Sequence, residues 1–174
     1  MASTSGWRRV LQRWGIIAPE AASALSQAAE GPVHLVGTLR CEAPIASPIR
    51  GRPCAGFFYR ASVAGSGRSS TGARMRPLRR ATVYATNVGL ELDDGTVALS
   101  MPPSDEFSAE DHAQLAAADL FGFRAVESTL RDGQRVRVEG RLATGPHGAR
   151  VQVQSVVPLE SPQDAASRAA DATD

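Results

Sequence analysis

The chain has 174 residues, of which 43% are hydrophobic and 21% charged, and its formal net charge at pH 7 is +1. These values are those of a soluble globular protein with one sizeable core. No apolar run approaches the roughly 20 residues of a membrane-spanning helix, and the first residues lack the pattern of a secretory signal. We therefore expect a cytoplasmic protein.

The N-terminal segment, residues 1–31, is predicted to be helical. An apolar stripe with spacing i, i+3, i+4, i+7 predicts an amphipathic helix over residues 7–14, and its members are Trp7, Val10, Leu11 and Trp14. A second helix is expected over residues 19–30, between Pro19 and Gly31. The stripe can pack on the protein's own barrel, in a partner's groove or on a membrane surface.

Strand patterns begin at residue 32, and we expect one β domain over residues 32–159 followed by a disordered tail over 160–174. The first β segment contains Gly37, which is typical of a bulge or bend. A constrained loop over residues 43–53 precedes a strand rich in β-forming aromatic residues, at 57–63.

The second half adds two hairpins and a helix. The first hairpin, over residues 90–99, turns at Asp94-Gly95, and the second joins two alternating strands through residues 145–148. Helix-start signals precede an Ala-rich stretch after Ser108. The pattern as a whole predicts a mainly β fold, a small and partly open OB-like barrel with an inserted helix, although a small β-sandwich is the alternative.

Three motif blocks resemble the GIDE domain, the β-rich module of membrane-anchored mitochondrial E3 ubiquitin ligases and of prokaryotic relatives. The resemblance covers about residues 33–158. The blocks read Ser-Pro-x-x-Gly-x-x-Cys-x-x-Phe-Phe-Tyr-Arg from residue 47, Leu-Glu-Leu-Asp-Asp-Gly-Thr-Val from residue 90, and Glu-x-x-Leu-x-x-Gly-x-x-Val-x-Val-x-Gly from residue 127.

The resemblance implies a binding module rather than a ligase. A RING domain needs eight Cys or His ligands, and this chain has two cysteines and three histidines. The motif residues also have plain structural roles, as turn, packing and bend positions. These residues are Ser47, Pro48, Gly51, Cys54, Phe57, Tyr59, Glu127, Leu130, Gly133 and Gly140. We accordingly predict a non-enzymatic adaptor that engages a protein partner.

Arginines are the candidate binding residues, because guanidinium forks suit carboxylates and other anions. The candidates are Arg50, Arg52, Arg60, Arg76, Arg79 and Arg80. All 19 basic residues are arginine, twelve of them within residues 1–80 against three acids, while fifteen acids follow in residues 81–174. This asymmetry indicates either an anionic partner or halves that neutralise each other.

Catalytic, metal and cofactor sites are not indicated. Consecutive residues on a helix point in different directions, so Glu110-Asp111-His112 is expected to be a solvated helix start. The cysteines and histidines are scattered singly, unlike a zinc site. Two alternatives to the adaptor stay open: a single-stranded nucleic-acid binder that uses arginines and aromatic rings, and a peripheral membrane protein anchored by the helix at 7–14.

Overall fold

The computed structural model describes residues 21–65, 75–146 and 148–159. This part of the chain is mainly β, which confirms the predicted class. It forms two compact units: the first comprises described residues within 21–40, 88–102 and 133–159, and the second those within 41–87 and 103–132. The predicted helix at 7–14 and tail at 160–174 lie outside the described residues.

Eleven strands and two short helices are present in the described ranges. In chain order they are β1 (Ala21–Ala22), the 3-10 helix η1 (Leu25–Gln27), β2 (Gly31–Cys41), β3 (Ile45–Ala46), β4 (Pro53–Cys54), β5 (Gly56–Ala64), β6 (Met75–Tyr84), β7 (Val88–Leu92), β8 (Gly95–Ser100), α1 (Ala109–Ala117), β9 (Arg124–Leu130), β10 (Arg135–Gly145) and β11 (Gly148–Pro158).

The first unit is built on one sheet with the order β1-β2-β10-β11-β8-β7, in which β2 also pairs with β7. Strand β10 shows why these residues form a sheet. Val136, Val138 and Leu142 are buried, while the arginines between them are exposed, because successive side chains of a strand point to opposite faces. The β10–β11 hairpin predicted around residues 145–148 is confirmed.

At two glycines of the first unit's sheet, the backbone of a neighbouring strand comes close. The β10–β11 register shifts between Glu139 and Gly140, so the ladder has a bulge or irregularity there, and a Cβ at Gly140 would overlap the Gln152 carbonyl. At Gly37 the β2–β10 ladder has no bulge, which is one of the two features that the sequence predicted there. The β2–β10 register is unbroken there, and the missing side chain instead lets the backbone of β7 approach at Glu91.

The predicted hairpin over residues 90–99 is confirmed as β7 and β8, but its turn lies one residue earlier than expected. Leu92 pairs with Gly95, so Asp93 and Asp94 form the two-residue loop. Gly95 takes a φ of +148°, a backbone conformation that glycine adopts without strain.

The helix predicted over residues 19–30 is wrong within the described residues. Ala21 and Ala22 form β1, which pairs in parallel with β2, and only Leu25–Gln27 are helical, in a single 3-10 turn. The Asp94 carboxylate accepts hydrogen bonds from the Leu25 amide at 2.6 Å and the Ser26 amide at 2.9 Å. These tertiary bonds override the helix propensity of an alanine-rich sequence.

Asp94 makes the stability of the first unit pH-dependent. Hydrogen bonds from the Ser26 and Leu25 amides hold the pKa of the Asp94 carboxyl below its usual range. A group whose pKa is lowered in the folded state stabilises above its unfolded pKa of about 3.9, and that stabilisation disappears as the pH falls through the folded pKa. Thermal melts should therefore show Asp94→Asn less stable than wild type at neutral pH, with the difference shrinking below about pH 4. A difference that is independent of pH would contradict this, and Glu106→Gln, at an exposed carboxylate, is the control.

The second unit contains an antiparallel three-stranded sheet with the order β6-β5-β9, the short β3–β4 pair and α1. On β5, Phe57, Tyr59 and Ala61 are buried, while Phe58 and Arg60 are exposed. The sheet therefore has an inner face that forms a core and an outer face that is open to solvent. No helix in either unit's described residues is long and apolar enough to cross a membrane.

Helix α1 begins and ends where local chemistry requires. Ser108 and Asp111 form a reciprocal capping box at its start, as the helix-start signals at Ser108 predicted. The helix ends at Ala117. Asp119 and Gly122 have positive φ angles of 48° and 66°, which break the helical path.

Candidate functional site

A buried carboxylate organises the first GIDE-like block. The Glu127 side chain, on β9, is only 3% exposed. It accepts hydrogen bonds from the Ser47 hydroxyl at 3.1 Å, the Ile49 amide at 2.8 Å and the Arg50 amide at 3.2 Å. Residues 47–50 thus surround the Glu127 carboxylate. The hydrogen bond between Ser47 and Glu127, which are 80 positions apart, links the first and third motif blocks.

The loop around Glu127 also closes on itself. The Ser47 amide donates to the Arg52 carbonyl at 2.9 Å, and the Gly51 amide donates to the Ser47 carbonyl at 2.9 Å. Gly51 has a φ of +64°, a backbone angle that most residues other than glycine adopt only with strain. Ser47 and Pro48 are buried. These hydrogen bonds and the burial hold the loop at residues 47–52 in its closed conformation.

The remaining motif residues likewise hold the fold. Cys54 is buried, with its Sγ 3.5 Å from the Ile45 carbonyl oxygen, and burial raises the pKa of its thiol. Phe57 packs in the core of the second unit. The Leu130 carbonyl accepts from the Ala55 amide at 2.7 Å, and the Gly133 amide donates to the Leu39 carbonyl at 2.8 Å.

Tyr59 stands at the centre of an aromatic cluster in the second unit. Its side chain is fully buried, with 0% exposure, and burial raises the pKa of its phenol. Its ring centroid lies 4.3 Å from that of Phe107, and its hydroxyl oxygen lies 3.1 Å from Nδ1 of His112. Phe123 packs near the His112 ring. The cluster attaches α1 and its flanks to the inner face of the sheet.

The Glu110-Asp111-His112 run does not form an acid–base cluster. Asp111 accepts from the Ser108 amide and hydroxyl, Glu110 accepts from Gln114, and His112 faces Tyr59. Within the described part of the chain no group of three or more His, Cys, Asp or Glu residues could hold a metal ion. In the same residues every buried side-chain nitrogen and oxygen has a hydrogen-bond partner.

The outer face of the β6-β5-β9 sheet is the candidate site. The register places Arg60 of β5 directly between Arg80 of β6 and Val126 of β9. Phe58, two residues along β5 and on the same face, is 46% exposed, and Val126 is 55% exposed. Arg124 lies further along β9, opposite Ser62. We call Phe58, Arg60, Arg80, Arg124 and Val126 the Arg–Phe face.

Every charged residue of the Arg–Phe face is an arginine, and the Asp105 carboxylate lies at the edge of β6, where it accepts from the Thr82 amide at 2.7 Å. None of the outward positions of the three strands carries a carboxylate, since the partners of Phe58 across the sheet are Thr82 and Ser128, and those of Ser62 are Pro77 and Arg124. Like charges directly opposite each other in a sheet are destabilising. Arg60 and Arg80 are such a pair, and a surface of this kind suits an anionic partner.

The six arginines predicted to bind a partner lie on β5, on β6 and in the loop at residues 47–52. Arg60 and Arg80 are brought together. Arg79 lies on the inner side of β6, donates to the Glu106 carbonyl at 3.2 Å and sits over the Phe107 ring at 5.8 Å, and Arg76 is paired with Val63. Arg50 and Arg52 belong to the loop around Glu127.

Of the two exposed hydrophobic residues of the face, Val126 was missed by the sequence analysis, and Phe58 entered it as a candidate only among the aromatic rings of the nucleic-acid alternative. Val126 and Phe58 alternate with buried positions in strands that carry the family-like blocks, so both read as ordinary strand residues. The signal that identifies their exposure is the phase of the strand: once Tyr59 and Glu127 are inward, their neighbours must be outward.

Comparisons with protein families, with curated proteins and with solved structures found no match for this chain. The resemblance to the GIDE domain accordingly stays a hypothesis that rests on the motif residues themselves.

Proposed function

We propose that this protein is a non-enzymatic binding protein of the GIDE type, which engages a protein partner in the cytoplasm through the Arg–Phe face. One observation carries the proposal: exposed Phe58 and Val126 lie among three arginines at outward strand positions, none of which is a carboxylate residue. Aromatic and arginine side chains are enriched at protein interfaces and dominate their energetics. The partner surface that complements this face is apolar and acidic.

Strand pairing in the first unit supports the OB-like barrel as the finer description of the fold. Pairings run from β2 to β10, β11, β8 and β7, and from β7 back to β2. Five strands joined in a ring of pairings, with β11 and β8 parallel, fit a small barrel of the OB type.

Because Arg60 and Arg80 repel each other but both belong to the proposed binding face, replacing one of them should raise the stability of the protein and weaken partner binding. Arg80→Thr removes one of two like charges and introduces a good β former, so the free energy of unfolding should rise by about 0.2–1 kcal/mol. Thermal unfolding measures the change, which should shrink at high salt because exposed charges are screened.

The matched control is Arg150→Thr in the first unit. Arg150 is also exposed on a strand, but its cross-strand partners are Ala98 and Ala143. This variant changes β propensity and net charge equally without relieving an arginine pair. Equal stabilisation by both variants would contradict the role assigned to the like-charge pair.

Partner binding is tested by pull-down with the full chain. A stoichiometric protein partner should be retained by wild type and by Arg150→Thr. It should be lost from Phe58→Ser and reduced in Arg80→Thr, with roughly a 30-fold lower affinity for removal of a central aromatic anchor. A partner that binds all four proteins equally does not use this face, and that result would refute the proposed site.

Single-stranded nucleic acid is the second candidate, because an exposed aromatic ring flanked by arginines also suits a stacked base and its phosphates. Anisotropy of a fluorescein-labelled oligothymidine measures this. Three arginines predict a slope of about −2 for the logarithm of the binding constant against that of the salt concentration. Salt-dependent binding that Phe58→Ser abolishes would favour this candidate over a protein partner.

A further inference from the structure

The most exposed large hydrophobic side chain among the described residues is Phe121, at 84%. It lies on the turn between α1 and β9, and the backbone of that turn is anchored. The Ala64 amide donates to the Phe121 carbonyl at 3.1 Å, and the Phe123 amide donates to the Leu120 carbonyl at 3.0 Å. A Cβ at Gly122 would overlap Ala64. The ring is therefore presented at a fixed place on the second unit.

Further exposed residues gather around the same end of β5. Ala64 pairs with Met75, which is 40% exposed. Ser62 pairs with Arg124 on the outer face of the sheet, and Val63 pairs with Arg76 on the opposite face at the same strand end. Both arginines are exposed. We call Met75, Arg76, Phe121 and Arg124 the tip. It combines two projecting apolar side chains with two cations, and it differs from the Arg–Phe face in all but Arg124.

We propose that the tip binds the surface of an anionic lipid bilayer. An apolar side chain at the headgroup–acyl boundary loses its contact with water, while neighbouring arginines are attracted to anionic headgroups. A single projecting aromatic ring enters a fluid interface without a complementary pocket. This gives a bilayer the advantage over a protein as the occupant, since a protein must supply a pocket shaped for Phe121.

Asp119 is the one carboxylate within the turn at residues 118–123, and it is exposed. Its negative charge opposes binding to anionic lipid. Asp119→Asn should therefore bind anionic vesicles more tightly than wild type, by up to about fivefold for one charge near the surface. A protein partner with a basic rim around its pocket would give the opposite change.

The test is flotation of the full chain with phosphatidylcholine vesicles, with and without phosphatidylglycerol. Wild type should float with the anionic vesicles only. Phe121→Ser should bind at least about tenfold more weakly, because a buried phenylalanine ring is lost. The double variant Arg76→Gln, Arg124→Gln should lose about fivefold for each arginine. Every variant retains residues 1–20, so the N-terminal stripe contributes equally throughout.

Phe58→Ser is the matched control, an exposed phenylalanine of the same sheet that lies outside the tip. It should float like wild type. If Phe58→Ser loses the protein partner but floats normally, both the proposed function and the membrane proposal are supported, so the two can be tested separately. The proposal that the tip binds an anionic bilayer would be overturned if wild type and Phe121→Ser floated equally, or if wild type did not float. Melting of Phe121→Ser should match wild type, since the ring is exposed.

A spectroscopic measurement reports insertion directly. Phe121→Trp in a chain with Trp7→Phe and Trp14→Phe carries a single tryptophan, at the tip. Its emission should shift to shorter wavelength when phosphatidylglycerol vesicles are added, because the indole leaves water. Unchanged emission with vesicles in excess would place Phe121 outside the bilayer and overturn the proposal.

Discussion

Tyr59→Ala is expected to lower the free energy of unfolding by roughly 3–5 kcal/mol, the range for truncating a large buried aromatic residue. The ring is fully buried, and it joins Phe107 and His112 to the inner face of the sheet. Its removal leaves a cavity between β5, α1 and the segment that precedes α1. Denaturant unfolding followed by circular dichroism measures the loss.

The effect of Tyr59 separates into packing and hydrogen bonding. Tyr59→Phe retains the ring and removes only the hydroxyl near His112, so it should cost about 1 kcal/mol. Phe58→Ala, one residue away on the exposed face, is the matched control and should cost far less. If Tyr59→Ala unfolded at the same denaturant concentration as wild type, the central position of this cluster in the core would be wrong.

Glu127→Ala is expected to cost about 3 kcal/mol or more, because it removes the acceptor of one hydroxyl and two amides. The carboxylate lies in a nearly fully buried position, and the donors of Ser47, Ile49 and Arg50 have no substitute acceptor of the same shape. The loop at 47–52 should consequently lose its order. Faster amide exchange at Ile49 and Arg50, together with lower thermal stability, would report it.

Two controls define the role of Glu127. Ser47→Ala removes one of the three donors and should cost less than Glu127→Ala. Glu139→Ala removes a partly exposed carboxylate on β10 and should be near neutral. If Glu127→Ala kept the stability and amide exchange of wild type but no longer bound the partner, Glu127 would have a role in binding and not in the structure of the loop.

The β architecture of the second half follows from local patterns in the sequence. Alternation in residues 135–142 and 149–156 predicts β10 and β11, because a strand with one buried face must alternate. The capping pair Ser108 and Asp111 locates the start of α1. The hairpin of β7 and β8 is identified from its acidic turn to within one residue, since loop residues are defined by the register of the two strands and not by composition alone.

The N-terminal prediction fails for a physical reason. Residues 21–30 have the alanine content of a helix, and helix propensity is a weak local preference. Strand pairing with β2 and the two amides bound by Asp94 involve partners about 13 and 69 residues away, and no local pattern carries that information. The resulting segment is a strand and a single 3-10 turn.

Only part of the candidate site could be predicted from the sequence. The sequence by itself determined the residue types: arginines suited to anions, an aromatic strand, and a Ser-Pro-x-x-Gly loop that needs a turn at Gly51. Only the tertiary structure decided which of them meet. Strand register places Arg60 opposite Arg80 and turns Arg79 inward, and long-range hydrogen bonding joins Ser47 to Glu127. The position of Phe121 is likewise decided by the pairing of its carbonyl with Ala64, because exposure depends on what packs around a residue and not on its neighbours in the chain.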